Sequence, residues 1–307
     1  MAFVAQSQAA EAVQPWTFNM SRNLVGVLFL SAVIAWRKRS GADKPPVTNG
    51  DSPHSSLFHK GDSPAGGYTH RTLIIAGVLC GLVLCVASYL QQAGITAYPP
   101  EAAASGRSGF VTANYMIMVA LSVVFMGKRP HWLVFVSVGV AMLGMYFLCV
   151  PEGLGSIYLG DLLVFACAVG YAAHILVIDH YTQVDGVRLS RMQLITAGAV
   201  SAVCALVFEH PSMAMILAAA VPILYAGIAS DGIAYTLQIV GQQYTDATVA
   251  SIIMSLEAVF AALGGWIILN ESLSAVEVFG CALVFVAVIL AQVPDFIANA
   301  RAKHAPA

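Results

Sequence analysis

The chain has 307 residues, 59% of them hydrophobic and only 10% charged, with a mean hydropathy of +0.79. A soluble domain is about 45–50% apolar and about 25% charged, so a water-soluble enzyme, a nucleic-acid binder and a disordered tail are all poor readings. The 14 Lys+Arg and 16 Asp+Glu leave a net charge of −2, which offers no basic field to a phosphate backbone.

A helix needs about 20 residues to cross roughly 30 Å of hydrocarbon. Met1–Gln8 is apolar but too short to span, and reads as the end of a truncated first helix. Full-length apolar runs follow near 16–36, 71–92, 108–126, 131–150, 159–178, 192–209, 214–238, 246–268 and 277–296. They are continuous rather than alternating, so they are helices with internally paired backbones and not barrel strands. The 37–70 segment is rich in Pro, Gly, Ser and Asp and repeats Gly-Asp-Ser-Pro at 50–53 and 61–64, the composition of a flexible linker. His54, His59 and His70 lie in or beside it and read as solvated linker histidines rather than a metal-sensing loop. Cys80, Cys85, Cys149, Cys167, Cys204 and Cys281 all fall inside apolar runs, where cysteine behaves as a small hydrophobe. No spacing indicates a disulfide framework or a metal site, no cofactor motif stands out, and no cleavable leader is visible at the N-terminus.

The basic residues orient the spans. With ten helices and the N-terminus inside, the inner loops and tail hold Arg37, Lys38, Arg39, Lys44, Lys60, Arg71, Lys128, Arg129, Arg188, Arg191, Arg301 and Lys303. Only Arg22 and Arg107 fall elsewhere, near outer helix ends, and the C-terminus is cytoplasmic. Laid on itself at an offset of 171, the chain places Ala2 on Ala173, Phe18 on Leu189 and Arg22 on Gln193. Further on, Gly109–Thr112 falls opposite Ala250–Ile253 and Gly127-Lys128 opposite Asn270-Glu271. Each half holds five helices, an odd number, so the halves enter the membrane in opposite senses. The predicted fold is therefore an all-α integral membrane bundle of ten helices in two inverted five-helix repeats. The first repeat is 1–150, the second 158–296, and a cytoplasmic tail covers 297–307. Inverted repeats are the architecture of secondary transporters, with the solute site near the midplane. No Gly-x-x-x-x-Gly-Lys-Ser/Thr loop is present, so no ATP is implied.

Several stretches then point to a family. Ala247–Trp266, Asn270-Glu271-Ser-Leu-Ser and Gly280-Cys-Ala-Leu resemble the EamA-like branch of the drug/metabolite transporter superfamily. So do Phe3-Val-Ala-Gln6, Pro15–Arg22, Gly160-Asp161-Leu-Leu, Ala234–Gln238, and Ser108–Tyr115 with Gly127–Pro130. The resemblance implies ten helices that move small metabolites or drugs across the cytoplasmic membrane, many members being exporters. Four departures stand out: the incomplete first helix, Ala258 and Ala120 where proline is common, and Asp231 where a small or hydroxyl residue is usual.

Polar groups in membrane helices are costly and face the bundle interior or an aqueous path. Asp231, Tyr235, Gln238 and Gln242, spaced 0, 4, 7 and 11, form one helical face that could line a solute pathway or bond neighbouring helices. Thr112, Asn114 and Tyr115 with Ser108 make a second polar stripe, opposite Ser251 and Ser255 with Thr248 under the repeat. Glu257, mid-helix, and His174 are candidates for proton coupling, with interhelical hydrogen bonding as the structural reading of each. Arg22 at the outer mouth could attract anions; Arg107 is expected to reach the headgroups, and Asp161 and Glu271 to serve helix ends. The expected partners are a small solute and the bilayer, with no nucleic acid, as a monomer or homodimer. An intramembrane enzyme lacks any nucleophile–base or metal constellation, and a sensor or scaffold lacks a signalling domain.

Overall fold

The structure, a computed structural model, describes residues 2–10, 12–41, 68–99, 104–127, 130–150, 157–260, 263 and 274–303. The described residues fold into helices joined by short turns, with no strand among them. Eight helical segments are long and apolar enough to cross a membrane: Pro15–Arg39, His70–Thr96, Arg107–Phe125, Trp132–Cys149, Leu159–His180, Gly186–Phe208, Ala220–Gln242 and Ala275–Pro294. A shorter apolar helix covers Ala247–Phe260. Of the expected 37–70 linker, residues 42–67 lie outside the described residues, as does the Asn270-Glu271 motif; 37–39 end one helix and His70 begins the next.

In chain order we label α1 (Ala2–Ala10), α2 (Pro15–Arg39), α3 (His70–Thr96), α4 (Ala104–Thr112), α5 (Tyr115–Phe125), α6 (Trp132–Cys149), α7 (Leu159–His180) and α8 (Gly186–Phe208). After them come α9 (Met213–Ala218), α10 (Ala220–Tyr225), a π-helical stretch Ala226–Ala234, α11 (Tyr235–Gln242), α12 (Ala247–Met254) and α13 (Ala275–Lys303). The last helix runs through Pro294 to Lys303, so the expected tail beyond 296 begins as helix.

Three expected spans are interrupted, 246–268 by a turn at Ser255. The 108–126 run breaks at Ala113-Asn114, where the Asn114 amide turns back to donate to the Val111 carbonyl at 2.9 Å. A side chain that bonds its own backbone competes with the helical ladder. The 214–238 run widens into π-turns over nine residues. Such i→i+5 turns are rare and cluster at functional sites.

Helix starts follow from local chemistry. Thr69 accepts from the Thr72 N–H at 3.1 Å, and Asp185 from the Arg188 N–H at 2.9 Å. The start of α2 is capped from across the bundle instead. Glu209, just beyond α8, accepts from the Trp16 and Thr17 N–H groups at 2.8 and 2.7 Å.

Packing joins α2 to α8 and to the π-helical stretch, α3 to both α7 and α8, and α6 to α13. At the α6–α13 crossing a Cβ on Gly144 would come 2.8 Å from the Gly280 carbonyl, and one on Gly280 2.6 Å from the Leu148 nitrogen. Small residues let helices meet backbone to backbone where lipid provides no hydrophobic drive for association. The outer faces stay apolar, with Leu28, Phe125, Leu206, Val221 and Ile289 all more than 60% exposed. Those faces suit hydrocarbon, not water.

Candidate functional site

Polar side chains from seven helical segments converge in the interior. Gln91, on α3, is the hub. Its Oε1 accepts from the Gln6 amide of α1 at 3.0 Å and from the Tyr171 hydroxyl of α7 at 3.1 Å. Its amide donates to the Thr112 hydroxyl of α4 at 3.4 Å. The Tyr235 hydroxyl of α11 extends the chain by donating to Tyr171 at 3.3 Å. Gln92 adds a bond to the Gln6 carbonyl at 3.0 Å.

Beside this chain, His174 Nε2 meets Gln193 Oε1 at 2.9 Å, both fully buried, and the His174 ring stands edge-on to Tyr235 at 6.0 Å. With Oε1 as acceptor, Nε2 carries the proton. Nδ1 then has no hydrogen-bond partner among the described residues.

On α2, Arg22 is 2% exposed, and its Nε lies 3.6 Å from Asp231 Oδ2 of the π-helical stretch. The guanidinium also sits over the Phe18 ring, 5.5 Å from its centroid. At 3.6 Å the pair is an ion pair without a hydrogen bond. Arg22 Nε, both Asp231 oxygens and both amide atoms of Asn19 have no hydrogen-bond partner among the described residues.

The sequence-predicted residues divide around this centre. Asp231, Tyr235, Arg22, His174 and Thr112 belong to it. Gln242 donates to the Ile175 carbonyl at 3.0 Å and accepts from Gln238 at 3.3 Å, which ties α11 to α7. Along the expected stripe Asp231 meets Arg22 of α2, while Tyr235 and Gln242 also bond α7.

Asn114, Ser251 and Ser255 bond carbonyls of their own helices. Tyr115 reaches the Ser251 carbonyl at 3.5 Å. Glu257, on helical residues 256–260, is exposed rather than buried, and lies within electrostatic range of the Tyr115, Tyr225 and Tyr235 hydroxyls. A recess of about 280 Å³ lined by Val123, His131, Asp246 and Thr248 takes Thr248 alone from the predicted stripes.

Two expectations are corrected. Arg22 is not at an open mouth: it is buried against Asp231. Arg107 does not reach outward. It clamps Asp161 with Nη2 at 2.7 Å and Nε at 3.2 Å, and lies 4.8 Å above the Tyr158 ring. A carboxylate held by the fold outcompetes headgroups because its geometry is already paid for in packing. Gln91, Gln6, Tyr171, Gln193 and Asn19 escaped the sequence reading as site residues. The cost rule for polar groups in hydrocarbon, applied to amides as strictly as to charges, would have found the glutamines.

Residues 158–292 match the model of the EamA-like transporter family. The second half of the chain is thus similar to that family. A curated protein of Archaeoglobus fulgidus named "Uncharacterized transporter" is 31% identical over 193 residues, which cover 60% of this chain. This chain spans 59% of the length of that curated relative. A solved crystal structure superposes over 95% of both chains with a TM-score of 0.69 at 18% identity, a likeness of fold. The EamA-like segment supplies Tyr171, His174, Gln193, Asp231 and Tyr235 to the centre, while Gln6, Arg22, Gln91 and Thr112 precede it.

Proposed function

We propose that the chain is a secondary transporter, moving a small polar solute across the cytoplasmic membrane by alternating access between two inverted five-helix repeats, 1–150 and 158–296. The observation that carries this reading is the hydrogen-bonded chain that runs from buried Gln6 and Gln91 to half-buried Tyr171 and Tyr235. Amides and hydroxyls gathered at hydrocarbon depth are costly unless they bond one another or a solute. Ten helices result if α1 and the Ala247–Phe260 helix join the eight spans.

The packing pattern supports the repeat. The third span, α3, packs on α7 and α8; the stretch 220–242, five positions later, packs on α1 and α2. The pairs α2–α8 and α6–α13 map onto themselves under the same exchange. Arg22 and Gln193, opposite each other at the 171 offset, are both buried. Flux is outward in this reading, the solute passing Tyr235, Gln238, Asp231 and Arg22, with Glu257 or His174 carrying a coupled proton.

The test is untargeted comparison of metabolites inside and outside cells that express the chain. A solute class should move outward with the wild type and be retained with Tyr235→Ala or Gln238→Ala at equal membrane abundance. Membrane-inserted wild type that displaces nothing would sink the transporter reading. Unchanged pH dependence in both Glu257→Gln and His174→Gln would remove the proton from it.

A further inference from the structure

We infer that Asp231 is a displaceable counter-ion that holds Arg22 in reserve for the carboxylate of the solute. The inference rests on the central cluster being the solute pathway. It comes from comparing two buried ion pairs in one molecule. Arg107 and Asp161 meet through two hydrogen bonds, and Asp161 accepts two more, from the Tyr98 hydroxyl at 2.8 Å and the Tyr158 N–H at 2.9 Å. That pair is saturated. Arg22 and Asp231 are more deeply buried, yet stand 3.6 Å apart, with Arg22 Nε and both Asp231 oxygens lacking hydrogen-bond partners among the described residues. Buried charges are stable together only with close geometry and further hydrogen bonds. The second pair therefore has unused capacity on both partners.

The surroundings decide which partner leaves. Arg22 is anchored: its guanidinium lies over Phe18, and its backbone carbonyl would be 2.7 Å from a Cβ on Gly227, so α2 meets the π-helical stretch in backbone contact. Asp231 sits in the π-helical stretch between Gly227 and Gly232, where i→i+5 turns of the kind frequent at functional sites replace the regular ladder, and no hydrogen bond among the described residues holds its carboxylate. Around Arg22 stand Asn19, one turn away with both amide atoms unpartnered, and the Tyr235 and Tyr171 hydroxyls within electrostatic range. The guanidinium and the Asn19 amide can donate hydrogen bonds, the two phenols already donating to Tyr171 and Gln91, and a carboxylate accepts from a guanidinium in bidentate fashion. When Asp231 swings away, the vacated position offers donors to an anion. Among the described residues, Asn19 Oδ1 is an unpartnered acceptor there, but it carries no charge to offset a cation beside Arg22.

Benzoate, benzamide and benzamidine share one planar shape and carry charges of −1, 0 and +1. Their equilibrium binding to purified chain in nanodiscs at a single neutral pH is the test. Removing an internal competitor raises apparent affinity by the inverse of the fraction of time the site stood free. Asp231→Asn should therefore bind benzoate about tenfold more tightly than wild type, with benzamide unchanged, while Arg22→Gln loses benzoate. Effects of opposite sign distinguish a displaceable counter-ion from a structural pair. Equal loss of benzoate in both variants overturns the inference, as does benzamidine binding that disappears with Asp231→Asn. If Asp231→Asn does not fold, the double variant Arg22→Gln/Asp231→Asn, which has neither buried charge, is the reference. Benzoate should then raise the melting temperature of wild type and not of the double variant; an equal response in both overturns it. Failure here, with solute movement still abolished by Tyr235→Ala, removes the carboxylate assignment and leaves the pathway standing.

Discussion

Asp161 answers three donors at once: the Arg107 guanidinium, the Tyr98 hydroxyl and the Tyr158 N–H. It is thus both a helix-start residue of α7 and the anion of a cross-bundle clamp, of which only the first role was visible from Gly160-Asp161. The clamp is nine-tenths buried, with side-chain exposures of 9% and 12%. Arg107→Gln should cost about 3–5 kcal/mol, since it leaves a buried carboxylate without its cation. Tyr98→Phe should cost about 0.5–1.5 kcal/mol, one hydrogen bond; unfolding in detergent compares the two. Burial and the bond to Asp161 push the Tyr98 phenol up. The folded state thus favours the protonated phenol, so its contribution is intact below about pH 10 and fades as pH rises beyond. Tyr98→Phe should reduce the alkaline loss of stability; an unchanged alkaline limb would contradict this assignment. Arg107 was misjudged for a physical reason: an arginine at a helix end has two outlets, headgroup or carboxylate, and the choice depends on a residue 54 positions away.

At the scale of elements, α2 is held at both ends by the second half of the chain. Glu209 takes the N–H groups of Trp16 and Thr17 and the Thr17 hydroxyl, and Arg37 pairs with Asp185 at 3.3 Å near the other end. Glu209→Ala should cost about 1–2 kcal/mol, the scale of a lost N-cap, with Glu209→Gln intermediate, in thermal unfolding. The π-helical stretch is built around close approach. A Cβ at Gly227 would meet the Val25 side chain at 2.6 Å and the Arg22 carbonyl at 2.7 Å. Gly227→Val should destabilise by about 1–3 kcal/mol or force α2 aside. A folded, fully stable Gly227→Val would show that α2 and this stretch are not locked together. Helical spacing of Asp231, Tyr235, Gln238 and Gln242 was legible in the sequence, but the π-turns over 226–234 and their close packing on α2 were not.

At the scale of the whole molecule, the eight spans and the shorter Ala247–Phe260 helix overlie all nine apolar runs read from the sequence, with ends shifted by a few residues. The sidedness predicted from Lys and Arg is open to direct measurement. Cysteines introduced at Ser55 and Ala302 should react with a membrane-impermeant thiol reagent from the cytoplasmic face alone. Cys80, Cys85, Cys167 and Cys281 are buried and should stay silent. Labelling of Ser55→Cys and Ala302→Cys from opposite faces would refute an even number of spans between them.

The sequence alone determined that the chain is a helical membrane protein, roughly where its spans lie, and which family its second half resembles. Those properties are local. Lipid supplies no hydrogen bonds, so each stretch of about 20 residues must satisfy its own backbone and be apolar in its own composition. Tertiary structure decided which polar groups meet: Gln6 with Gln91 across 85 positions, Tyr171 with Gln91 across 80, Arg22 with Asp231 across more than 200. Such meetings depend on the angle and depth at which helices cross, and those are set where glycines let backbones touch. That geometry exists only once all the helices are packed.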